Sequence, residues 1–72
     1  MSIIEIINKI EADKKRQNIY PSHAMYMEVL REASLIYPAC VVQIVNDKIS
    51  ELIRLNQIAV GETINDQYIK VL

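Results

Sequence analysis

The sequence predicts an α+β domain in which three helices precede a C-terminal β-hairpin, with residues 1–72 forming a single unit. Three observations carry that expectation. Apolar residues recur at helical spacing in three separate stretches, a period of two replaces that spacing after Asn56, and the sole glycine, Gly61, lies between the two alternating segments. With 51% hydrophobic residues the chain has the means to form a core. A domain of this size buries only about 60–65% of the surface its unfolded form exposes, so its stability is marginal.

The first helix is expected to start at Ile3. Ser2 and Glu5 have the spacing of a capping box, in which hydroxyl and carboxylate satisfy backbone N–H groups that the first turn leaves without partners. Ile3, Ile6, Ile7 and Ile10 share one face, Glu5, Asn8, Lys9 and Glu11 point elsewhere, and only Ile4 breaks the pattern. Lys14, Lys15 and Arg16 then complement the negative end of the helix dipole. Asn18-Ile19-Tyr20-Pro21 ends the periodicity, because the residue before a proline is held toward extended conformations.

Ser22 is expected to cap a second helix of about three turns, with Met25, Tyr26, Val29, Leu30 and Ala33 on one face and Glu28, Arg31 and Glu32 on the other. Pro38 suits the first position of a third helix. There Val42, Val45, Ile49, Leu52 and Ile53 form the expected core stripe, and Asn56 sits where a left-handed cap is wanted. Residues 57–60 and 67–71 alternate as half-buried strands do, and Gly61, Asn65 and Asp66 tolerate turn conformations.

This order of helix, short extended piece, helix, turn, helix and hairpin resembles the winged helix-turn-helix class. Leu52-Ile53-Arg54-Leu55-Asn56-Gln57-Ile58 resembles the end of a recognition helix running into the first wing strand, and Tyr68-Ile69 resembles the returning strand. The resemblance implies a very short strand near Ile19 and Tyr20. It also implies that early residues of the third helix enter the DNA major groove while basic side chains there and on the wing contact phosphates. The residues at those positions depart from that pattern. Opposite the expected core stripe lie Cys40, Gln43, Asp47, Glu51 and Arg54, and the turn adds Glu62 and Asp66. Carboxylates facing phosphates repel them and supply none of the counterion release that drives DNA binding.

Eight Lys and Arg against nine Asp and Glu leave a formal charge of -1, so no overall positive field attracts nucleic acid or anionic lipid. The lone Cys40 cannot form an internal disulfide, which suits a reducing compartment, and it has no neighbouring base to activate it. His23 has no second His or Cys near it in sequence and reads as a surface residue. A single glycine leaves no phosphate-cradling loop, and the scattered carboxylates form no acid and base couple. No catalytic, cofactor or metal site is therefore expected, and no small-molecule substrate. The opening residues run straight into an amphipathic pattern without the features of a signal peptide, and no apolar run reaches the roughly 20 residues of a membrane span. The expected setting is the cytoplasm.

Residues 39–45 are apolar nearly all the way round the start of the third helix. Such a helix is buried on more than one side, either within the monomer or by a partner. The reading that follows is a non-catalytic binding module acting through self-association as a homodimer, or through docking on another protein, with Cys40, Val41, Ile44 and Leu55 as its interface. The alternative is a DNA-binding regulator using Lys14, Lys15, Arg16, Gln43 and Arg54, disfavoured by Asp47, Glu51, Glu62 and Asp66. Lys14, Lys15 and Arg16 also fit an ordinary solvated helix end.

Overall fold

Ser2 opens the first helix as its spacing predicts. The structure, a computed structural model, describes residues 2–62 and 66–72. In α1 (Ile3–Arg16) the Ser2 hydroxyl accepts from the Glu5 N–H at 3.3 Å and donates to the Glu5 carboxylate at 3.1 Å. All four isoleucines of the predicted stripe are buried, and Ile4 packs at the edge of the same core. The helix ends in a left-handed Asn18, with the Ile19 N–H donating to the Lys14 carbonyl at 2.8 Å and the Asn18 N–H to that of Lys15 at 3.1 Å. This paired arrangement is a Schellman cap, and Asn tolerates its positive φ better than most residues.

That cap also corrects the placement of the first strand. Ile19 is still tied to the end of α1, and Ile19 and Tyr20 are exposed, leading into a cis Tyr20–Pro21 bond. The short strand forms instead as β1 (Ala24–Met25), where Ala24 is fully buried and can pair with a distant strand. Ser22 consequently does not cap the second helix. It is buried, and α2 (Tyr26–Ser34) begins only after β1 ends. Two carboxylates satisfy its first turn: Glu28 accepts from the Met25 N–H at 2.8 Å, and Asp66, far along the chain, accepts from the Met27 N–H at 3.2 Å. Val29 and Ala33 are buried, with Tyr26 and Leu30 packed beside them, as the predicted face requires.

The third helix starts later than Pro38 suggests. Cys40 has a φ of 59°, a left-handed conformation that cannot lie inside a right-handed helix, so α3 (Val41–Arg54) starts at the next residue. The buried face is Val45 and Leu52, with Val41 and Ile49 packed against them. Val42 and Ile53, expected in the core stripe, are exposed. Two stripes compete on this helix, Val41-Val45-Lys48-Leu52 and Val42-Asn46-Ile49-Ile53, each with one polar interruption. Sequence spacing does not choose between them; packing turns the first one inward.

The helix ends as expected. Asn56 is left-handed at φ 57°, the Gln57 N–H donates to the Leu52 carbonyl at 2.9 Å, and the Asn56 N–H donates to that of Ile53 at 3.0 Å. The chain then enters β2 (Ile58–Glu62), which pairs antiparallel with β3 (Gln67–Val71) in the register Ile58 to Val71 and Val60 to Ile69. Gly61 and Glu62, expected in the turn, belong to β2, and the remaining expected turn residues at 63–65 lie outside the described residues. β1 joins the far side of β3 through Ala24 to Ile69 and Met25 to Tyr68. In place of a separate C-terminal hairpin, β2 and β3 belong with β1 to a three-stranded antiparallel sheet ordered β1-β3-β2, and the fold is α+β. Ala24, Ile58 and Ile69 close the sheet onto the helices. No helix among the described residues is long and apolar enough to cross a membrane.

Candidate interaction surfaces

The four candidate interface residues do not converge. Cys40 is exposed just before α3, while Leu55 is half exposed just after it, about 22 Å away along the helix. Val41 is half-buried, with part of its side chain packed against the core. Ile44 is half-buried and lines an open groove of about 470 Å³ between the start of α1, Tyr37 and α3. Ile3, Tyr37 and Ile44 supply its apolar lining, and Ser2, Asp47, Lys48 and Glu51 its polar lining. The Lys48 ammonium stands 3.3 Å from the Glu51 carboxylate, so the groove is mildly acidic.

A second surface lies on the opposite flank of the core stripe. Val42, Asn46 and Ile53 follow i, i+4, i+11 spacing and face one way, with Ile49 beside them packed partly against the core. Val42 is 52% exposed and Ile53 44%. Asn46 is held there by the Tyr26 phenol, which donates to its side-chain oxygen. Assigning Val42 and Ile53 to the core hid this flank from the sequence reading.

Most of the basic groups are engaged in the fold. Lys14 is the clearest case: its ammonium donates to the Glu28 carboxylate at 2.6 Å and to the His23 carbonyl at 3.0 Å, and its side chain is only 15% exposed. It joins the end of α1 to β1 and α2 and is no free phosphate contact. Lys15 pairs with Glu11 at 3.0 Å, Arg16 with Asp13, and Lys9 with Glu32 at 3.5 Å. Gln43 and Arg54 are exposed and lie on one side of α3, with Asp47 exposed between them. Of the carboxylates read as repelling DNA, Glu62 is exposed, Glu51 is paired with Lys48, and Asp66 caps α2.

The outer face of the sheet holds a cluster that the sequence did not announce. His23, expected at the surface, is half-buried, with its ring stacked on Tyr68 at a centroid distance of 5.5 Å and an interplanar angle of 24°. Its Nδ1 is buried without a hydrogen-bond partner among the described residues. Tyr68 also lies over Gly61, its cross-strand neighbour. No protein-family model, curated protein or solved structure matches this chain.

Proposed function

We propose that this chain is a non-catalytic binding module on a winged-helix-like scaffold, and that it works by docking to protein through the outward face of α3. The observation that carries this reading is the pair Val42 and Ile53, three helical turns apart on one face and each about half exposed. Their neighbours favour protein over nucleic acid. Among the described residues, Lys9, Lys14, Lys15, Arg16 and Lys48 stand in ion pairs, and Arg54 shares its side of α3 with Asp47. The element order, with a very short strand between the first two helices, supports the scaffold assignment.

DNA binding is the second reading, favoured by Gln43 and Arg54, which are both exposed on the same side of the helix. Sedimentation velocity on the wild type and on Ile53→Asp tests the two together, with DNA titrated at low salt alongside. Association that the substitution abolishes, in a variant that melts like the wild type, supports docking through α3. Salt-sensitive DNA binding lost in Arg54→Ala, with Ile53→Asp unaffected, transfers the function to the second reading.

A further inference from the structure

We infer that the free edge of β2 pairs antiparallel with the β2 edge of a second copy, making one continuous six-stranded sheet across a two-fold axis at Val60. This edge is a surface distinct from the outward face of α3. β2 is an edge strand, since the sheet order is β1-β3-β2. Which of its backbone groups face outward follows from the ladder. The Leu72 N–H donates to the Gln57 carbonyl at 3.0 Å, one rung beyond the Ile58 to Val71 pair. Antiparallel rungs alternate, so Ala59 and Gly61 turn their N–H and C=O groups toward β3, and Ile58, Val60 and Glu62 turn theirs away from it.

Exposed edges are ordinarily blunted by proline, lysine, bulges or a covering element. β2 carries neither proline nor lysine, its one charge is Glu62 at its last position, and its register with β3 runs without a bulge through all five rungs. The opposite edge is different, because β1 is two residues long and runs directly into α2.

The strand is also suited to itself. With Val60 of each copy on the axis, Ile58 of one copy faces Glu62 of the other, and three pairs of outward N–H and C=O groups meet in register. The one charged residue of the strand then never faces its twin. Val60, half-buried against its own core, would meet the Val60 of the second copy on the same side of the sheet, covering apolar surface that the monomer leaves open. Pairing of one strand with its own copy is isologous, which closes at two chains and does not propagate.

Amide hydrogen exchange by NMR tests this on the unmodified chain, at millimolar and at low-micromolar concentration. The amides of Ile58, Val60 and Glu62 should exchange about tenfold or more slowly at the higher concentration, while Ala59 and Gly61 stay protected at both. Val60→Pro removes one outward N–H without touching the bonds to β3, and should give a folded monomer by sedimentation. Outward amides that exchange freely at both concentrations overturn the inference. A dimer that Ile53→Asp dissociates while those amides remain open overturns it and supports docking through α3. Concentration-dependent protection with Ile53→Asp still dimeric supports the β2 edge and removes α3 from self-association.

Discussion

Gly61 shows how one missing atom organises a surface. Its φ is not positive, so glycine is required here for space and not for backbone freedom. A Cβ built at this position would come within 2.2 Å of the Tyr68 ring, and that ring is held in place by its stack on His23. The three residues come from β2, β3 and the approach to β1, so the contact fastens all three strands on the outer face. Gly61→Ala must displace Tyr68 and open the stack, and should cost about 1–3 kcal/mol despite alanine's smaller loss of backbone entropy. Thermal melts of Gly61→Ala, Tyr68→Ala and the double variant check this. The double variant should be less destabilised than the two single costs added together, because removing the ring removes the clash. The glycine itself is obvious in the sequence, but it reads there as a turn residue, since a cross-strand ring lying over it is a long-range fact.

Glu28 plays a comparable part between elements. One carboxylate oxygen accepts from the Lys14 ammonium and from the Met25 N–H, so it joins the end of α1 to the start of α2. Glu28→Ala removes both bonds and leaves Lys14, whose side chain is largely buried, with its bond to the His23 carbonyl. A loss of about 2–3 kcal/mol is expected. Lys14→Met keeps the apolar stem and leaves Glu28 free to cap α2, so about 1 kcal/mol or less should be lost. Denaturant unfolding of the two variants should therefore rank Glu28→Ala as the weaker fold. Helix ends set by local chemistry were legible in the sequence: Ser2 with Glu5 at the start of α1, and Asn56 at the end of α3. Features set by distant pairing were not. Met25 has no polar side chain to announce a cap, Asp66 reaches α2 from 39 residues away, and β1 exists only because β3 pairs with it. The face of α3 fell between these cases, since its two apolar stripes differ by a single residue of rotation.

At the scale of the whole molecule, these attachments support a core that, among the described residues, holds eleven buried apolar side chains drawn from all six elements. Surface ion pairs add little to it, because apart from Lys14 with Glu28 every cation in them is at least a third exposed. A fold this small gains proportionately more from association than a large one does. If the native state is a dimer and the unfolded state is not, each tenfold rise in protein concentration above the dissociation constant adds about 1.4 kcal/mol per dimer, or ~0.7 kcal/mol per chain. For a domain of this length that corresponds to roughly 3–6 °C in Tm. Calorimetry across two decades of concentration should therefore give a rising Tm for the wild type. It should give a flat one for Val60→Pro if the β2 edge makes the dimer, or for Ile53→Asp if α3 does. A Tm independent of concentration in the wild type would mean that the folded unit is a monomer, leaving the outward face of α3 to a partner other than itself.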